Sequence, residues 1–212
     1  LAAVDLILNP SASHFAFGKQ EVRRRIVLES SRAFGVTYVY ANLLGNEAGR
    51  VIYDGAALMA SAGRMIVEGR RLSFADFVVT TADVDIDTTR MSRARLASFQ
   101  PDESTSSPHC VNETFAFPDV QPQRDEHHIE SWETGRYIKE EEFARTVALG
   151  LFDYLRKSRA SGFVVSLSGG ADSSAVAVLV WLAVRFGIRE LGRDEFLAKL
   201  SQTEGLEDVD DP

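Results

Sequence analysis

The chain has 212 residues, 45% hydrophobic and 25% charged, enough for one large domain or two small ones with real cores. A formal net charge of −8 argues against a surface built to coat nucleic acid. The single cysteine, Cys110, excludes an internal disulfide and fits a reducing, cytoplasmic setting; no stretch approaches the length of a membrane span, so no membrane partner is expected.

The first residues, Leu1–Leu8, read like the interior of a folded domain and carry no basic leader, so the chain is expected to be part of something longer. Val4–Leu8 predicts a buried strand. Gln20–Phe34 predicts a helix with Val22, Ile26, Val27, Ser30, Ala33 and Phe34 on its apolar face, stopped by Gly35. The basic run Arg23–Arg25 reads as the solvated flank of that helix. Val36–Ala41 is β-branched and aromatic, hence a strand. Ile52–Met59, the turn Ser61–Arg64 and Met65–Glu68 read as a hairpin, and Phe77–Asp87 as a further strand with Val84 and Ile86 inward. Four of the six prolines (Pro101, Pro108, Pro118, Pro122) fall within a polar stretch, Ser98–Thr134, which marks a linker.

Beyond the linker, Lys139–Lys157 predicts a helix with acids in its first turn, bases in its last, and a stripe of Phe143, Val147, Leu151 and Leu155. Gly162–Leu167 then reads as a strand, and Ala175–Phe186 as a core helix. Helix, strand, glycine-rich loop and helix open an α/β domain with a parallel sheet.

The loop itself reads Ser168–Ser173, SGGADS. Two glycines let the backbone turn tightly and approach a ligand. The helix that follows begins with N–H groups lacking partners, which with the helix dipole make an anion site. Serine hydroxyls suit phosphate oxygens. Asp172 would repel a phosphate unless a cation stood between them, and Mg2+ held by one carboxylate plus phosphates resolves this. No lysine follows the glycines, so this is not a Walker loop, and the third glycine of a dinucleotide fingerprint is missing. A simple serine-rich helix cap is the plainer alternative.

SGGADS resembles the SGGxDS pyrophosphate loop of the N-type ATP pyrophosphatases. Leu6–Lys19 (LILNPSASHFAFGK) resembles the segment after the nucleophile in nitrilase-like glutaminase domains, and Tyr40–Gly45, Tyr53–Gly55 and Val78–Asp87 look like later strands of the same domain. A nitrilase-like half followed by an SGGxDS half is similar in order to the glutamine-dependent NAD synthetases.

That resemblance implies the C-terminal part of a nitrilase-like α-β-β-α sandwich over residues 1–98 and a linker over 99–135. The start of a parallel-sheet, Rossmann-like PP-loop domain would follow over 136–212. It implies ATP and Mg2+ as cofactors, with ATP, nicotinic acid adenine dinucleotide and glutamine as small-molecule partners. No nucleic acid is expected, and the full-length protein is expected to be a homo-oligomer. Ser166, Leu167, Ser168, Gly169, Gly170, Ala171, Asp172 and Ser173 align with the ATP site, Asp172 with magnesium, and Ser13 and Lys19 with glutamine contacts. The implied function is a ligase that adenylates the dinucleotide carboxylate and amidates it to NAD.

The chain departs from the pattern in one respect. The family glutaminase uses a Glu, Lys and Cys triad that the resemblance places upstream of these residues. Cys110, beside His109 in the linker, has no C-E-D context and is expected to be an ordinary thiol; Lys19 is not the triad lysine. No catalytic residue of the glutaminase is assigned, and the stretch alone is not expected to hydrolyse glutamine. Two rivals stand beside this reading: another PP-loop ATP pyrophosphatase, such as one acting on tRNA, which the acidic charge disfavours, and a non-catalytic structural segment.

Weaker signals are rejected on their residues. Asp83, Asp85 and Asp87 lack the glycine and glutamate of a calcium loop, with Thr88 and Ala94 in those places. Asp125–His128 reads as an exposed tract and Asn112–Thr114 as a chance glycosylation match.

Overall fold

The computed structural model describes residues 4–95, 111, 113–114, 116 and 129–203. The first half is built on a β-α-β unit. Strand β1 (Leu6–Ser11) and strand β2 (Thr37–Asn42) pair in parallel, Leu6 opposite Thr37, joined by helix α1 (Lys19–Phe34). Gly35 ends α1 in the left-handed region, φ 59°, and its N–H caps Arg32 and Ser31 carbonyls. Its bare Cα is also needed because a Cβ there would sit 2.7 Å from Arg93. β1 runs later than expected because its ladder with β2 continues to Ser11↔Asn42.

Strand β3 (Leu44–Asn46) and strand β4 (Ile52–Asp54) form a separate antiparallel pair. Strand β5 (Ala57–Ser61) turns through Ala62 and Gly63 into strand β6 (Arg64–Glu68), the expected hairpin, and completes a mixed sheet in the order β1-β2-β5-β6. The expected run Ile52–Met59 is broken at Gly55, φ 70°, where β4 leaves one sheet and β5 enters the other. Val27, Tyr40, Ala56, Leu58 and Ala60 form the core between α1 and this sheet.

Two expectations about the first half are corrected. The face of α1 that turns inward is Arg23, Val27 and Ser31, while Val22, Ile26 and Phe34 are exposed. Phe77–Asp87 is not a strand. The segment joins no strand ladder among the described residues, and Ile86 opens helix α2 (Ile86–Ala94). Asp85 caps that helix, its Oδ1 accepting from the Thr88 N–H at 3.0 Å. Hydrogen bonds from the Thr88 hydroxyl and N–H hold the Asp85 carboxyl below its usual value. Alternating aspartates that suggested a pleat are thus the lead-in to a cap.

In the second half, a 3-10 turn (Ser131–Thr134) leads into helix α3 (Ile138–Ser158), then helix α4 (Ala171–Leu191) and helix α5 (Arg193–Lys199). Their core contains Trp132, Ala148, Leu149, Phe152, Ala183, Phe196 and Leu200, with Leu72 and Phe74 threaded in from the first half. Fully burying a Leu or Phe contributes about 1.5–3 kcal/mol, so this strap is a substantial part of the junction. The predicted stripe of α3 holds in part: Leu151 and Leu155 pack against this core, but Phe143 is half exposed, and Glu142, Thr146, Leu149 and Asp153 also turn inward. The cause is that α3 packs on the first half as well as on α4, and charged groups carry part of the former contact.

That contact is dense in charge. Arg71 is buried between Glu133 and Glu142, at 2.7 and 3.0 Å, under the Trp132 ring. Asp153 accepts the Asn46 N–H at 2.7 Å. Gly45, φ 90°, is required there, since a Cβ would lie 2.0 Å from the Asp153 carboxylate. Asp76 pairs with Arg156 and Lys199, and hydrogen bonds from Lys199 first and Arg156 second hold its carboxyl below the usual 3.8. A depressed folded value adds stability above pH 3.8 that is lost as pH falls through the folded value. The stability gap between the wild type and Asp76→Asn, followed by urea unfolding, should therefore shrink below that pH. A gap independent of pH would refute the pairing.

Two further expectations fail in the second half. Gly162–Leu167 forms no strand: Val164 is fully exposed and Leu167 largely so. Strand propensity needs a neighbouring strand to take the N–H and C=O groups, and none of the described residues supplies one. α4 is not a core helix throughout; it buries Ala183 and Gly187 against α3 and Phe196, while Val176, Val178 and Trp181 are exposed. It is also longer than the predicted run. By length and composition (21 residues, mean hydropathy 1.6) it passes for a membrane span, contrary to the sequence reading, with 11% of its apolar window buried. Cys110, His109, Asn112 and Asp125–His128 lie outside the described residues.

Candidate functional site

Two groups of predicted residues sit in different halves. The first is the loop ahead of α4. Ser166 and Leu167 lie in the extended approach, Ser168–Gly170 make the turn, and Ala171, Asp172 and Ser173 form the first turn of the helix. Gly169 adopts φ 81°, a conformation that disfavours any side chain. Gly170 is the N-cap residue, with extended backbone at φ −83°, ψ 164°.

The hydroxyls close the turn on itself. Ser173 Oγ accepts the Ser168 N–H at 3.3 Å and lies 3.2 Å from Ser168 Oγ. Ser168 Oγ accepts the Gly170 N–H at 3.4 Å, and the hydroxyls of Ser173 and Ser174 donate to the Gly170 carbonyl at 3.2 and 2.9 Å. Apart from the Ser174 bond these are long, and all are exposed, so they are weak and readily exchanged. The N–H groups of Ala171, Asp172 and Ser173 open the helix, where no intrahelical acceptor exists. Side-chain and main-chain donors thus converge on one exposed spot at the positive end of a 21-residue helix. Asp172 is exposed on the same turn, and no cluster of three metal-ligating residues occurs among the described residues. A lone carboxylate with open space around it fits a hard cation whose other ligands are phosphate oxygens and water.

The second group is the loop between β1 and α1. Ser13 is pinned from both sides: its N–H donates to Asn42 Oδ1 at 2.8 Å, and its carbonyl accepts from Asn42 Nδ2 and Arg23 Nη2, each at 2.9 Å. Lys19 Nζ donates to the His14 carbonyl at 2.8 Å, so the ammonium is folded against the same loop. His14 bridges to Tyr53 on β4, their rings meeting edge to face at 5.5 Å. Beneath the loop Arg23 forms a buried ion pair with Asp54, and Asn42 Nδ2 reaches Asp54 Oδ1 at 2.7 Å.

Arg23 is therefore corrected from a solvated flank residue to one only 4% exposed. The sequence reading missed Arg23, Asn42 and Asp54. The available signal was their placement: Arg23 one turn after Lys19, Asn42 at the end of β2, and Asp54 at the end of β4.

Residues 143–207, which include the glycine-rich loop, match the family model described as NAD synthase. The likeness extends beyond that domain to glutamine-dependent NAD(+) synthetases. The chain is 32% identical over 197 residues to the putative enzyme of Schizosaccharomyces pombe, and 31% identical over 210 residues to the human one, covering 92% of this chain in both cases. The solved glutamine-dependent NAD(+) synthetase of Cytophaga hutchinsonii superposes with a TM-score of 0.66 at 42% identity, over 92% of this chain and 25% of that one. The chain spans about a quarter of the length of the relatives it matches, 28% of the yeast and human proteins. At 19% identity and a TM-score of 0.57, the Acinetobacter baumannii enzyme, solved with adenosine diphosphate, shares the α/β fold.

Proposed function

We propose that the whole protein carrying this chain converts nicotinic acid adenine dinucleotide to NAD, using Mg-ATP and ammonia drawn from glutamine. Residues 1–98 would belong to a nitrilase-like glutaminase half, 99–135 to a linker, and 136–212 to the synthetase half. A cytoplasmic homo-oligomer is the form we expect.

The carrying observation is that the donor-lined turn at Ser168–Ser173 falls inside the stretch matched by the NAD synthase model. In the proposed reaction a carboxylate oxygen of the dinucleotide attacks the α-phosphate of ATP, and the bond to pyrophosphate breaks. Ammonia then attacks the acyl carbon and AMP leaves with the bonding pair. The N–H groups of Ala171, Asp172 and Ser173 and the hydroxyls of Ser168 and Ser173 would donate to the departing pyrophosphate, where negative charge grows. Ser166 and Leu167 would lie along the nucleotide, and Asp172 would hold magnesium, which screens the phosphate charge. Ser13 and Lys19 would receive glutamine, Lys19 facing its carboxylate. Free ammonia is mostly protonated at neutral pH, so the two sites need a sheltered passage between them.

Asp172→Ala should weaken pyrophosphate binding about tenfold by titration calorimetry when magnesium is present, and leave it unchanged when the metal is chelated. Equal affinity of the two proteins with magnesium would remove Asp172 from the metal site.

A further inference from the structure

We propose that Arg23, Asp54 and Asn42 are positioning residues that hold the Ser13–His14 backbone in the geometry that receives glutamine. The proposal rests on the assignment of Ser13 and Lys19 to the glutamine site.

Two successive carbonyls in this loop are each held by donors from the frame below. The Ser13 carbonyl accepts from Asn42 Nδ2 and Arg23 Nη2, and the His14 carbonyl from Lys19 Nζ and, at 3.3 Å, from the same Arg23 Nη2. The Ser13 N–H is taken by Asn42 Oδ1. Main-chain groups of Ser13 are thus saturated, while among the described residues its hydroxyl makes no hydrogen bond and is left for a ligand. The clamp also has a rigid base. Asp54 accepts from Arg23, from Asn42 at 2.7 Å and from the Ala56 N–H at 3.3 Å.

Stability alone does not account for this arrangement. A buried ion pair is often no better than an apolar pair of the same volume, because both charges lose water. Arg23 sits on the inward face of α1 beside Val27, where a leucine or methionine would pack. Its Nε and the hydroxyl of Tyr40, whose ring lies 5.9 Å from the guanidinium, are buried without partners. The guanidinium presents one nitrogen to Asp54 and the other to two loop carbonyls, a forked contact that lysine cannot reproduce. Arg23 thus joins the loop after β1 to the end of β4, and Asn42 at the end of β2 is tied to both through Ser13 and Asp54.

The test uses the whole enzyme, with NAD formation driven either by glutamine or by ammonium chloride. Arg23→Gln and Asn42→Ala should each raise the KM for glutamine about tenfold, as expected for a displaced contact, with kcat within twofold and the ammonium-driven rate unchanged. Arg23→Lys should fall between these variants and the wild type. Ser13→Ala is the reference for the glutamine site. If Ser13→Ala raises the glutamine KM and neither Arg23→Gln nor Asn42→Ala does, the positioning role is refuted. If Ser13→Ala leaves that KM unchanged, the site assignment fails and the proposal with it. Equal losses with both nitrogen sources would mark Arg23 and Asn42 as structural and also overturn it. Should Arg23→Gln fail to fold, Asn42→Ala carries the same comparison.

Discussion

Ser173→Ala should lower NAD formation about a hundredfold, equally with glutamine and with ammonium as the nitrogen source. Removing one preoriented donor from a site of developing negative charge typically costs two to three powers of ten in rate. Ser173 Oγ is also the hub of the turn: it meets the Ser168 N–H, the Ser168 hydroxyl and the Gly170 carbonyl within 3.3 Å. The alanine variant would lose the donor proposed to serve pyrophosphate, and it loses the bonds that preshape the loop. Because the loop is exposed and touches no core residue, folding should be unaffected, and the thermal midpoint should stay within a degree or two. Steady-state rates with both nitrogen sources decide the matter. A loss confined to glutamine would place Ser173 outside the adenylation site, and an unchanged rate would reduce the loop to a helix cap.

Asp153→Ala should be strongly destabilising, by about 1–3 kcal/mol in urea unfolding, the usual cost of leaving a buried polar group without its partner. The carboxylate accepts the Asn46 N–H at 2.7 Å and lies 2.7 Å from Arg156 Nη2, with its side chain 3% exposed. Its removal leaves a buried N–H on β3 without its acceptor, and it takes from the partly buried Arg156 guanidinium one of its two carboxylate partners, leaving Asp76. It also opens space above Gly45, whose missing Cβ the carboxylate oxygen fills. Asp153→Asn keeps an acceptor for Asn46 and should lose markedly less. Equal losses for alanine and asparagine would show that the charge, not the hydrogen bond to the strand, is what matters.

Local chemistry that completes itself was legible in the sequence. α1 with its glycine stop, β2, and the β5–β6 hairpin lie where periodicity and turn residues put them. The glycine-rich turn at the head of α4 was readable because glycine conformations and unpaired helix N–H groups depend on no distant partner.

What failed depended on partners. Gly162–Leu167 has the composition of a strand but no neighbour to pair with among the described residues. Phe77–Asp87 alternates as a strand does, yet Asp85 finds Thr88 and caps a helix. Periodicity placed Phe143 inside and Arg23 outside, and both are reversed, because α3 turns carboxylates toward Arg71 and a strand N–H, and α1 turns Arg23 toward a carboxylate and two carbonyls, all contributed from elsewhere in the chain. Hydrophobic patterning cannot register such a contact. In the loop between β1 and α1, resemblance singled out Ser13 and Lys19, while the buried clamp beneath them was not legible at all.

The strap carrying Leu72 and Phe74 has a consequence for dissection of the protein. These side chains belong by covalent order to the sheet and by packing to the helices, so scission of the backbone in the polar segment at 99–135 would not liberate two independent bodies. The pieces would remain associated like a nicked but intact molecule, and a helical piece expressed without the strap would expose the socket that Phe74 fills beside Phe152.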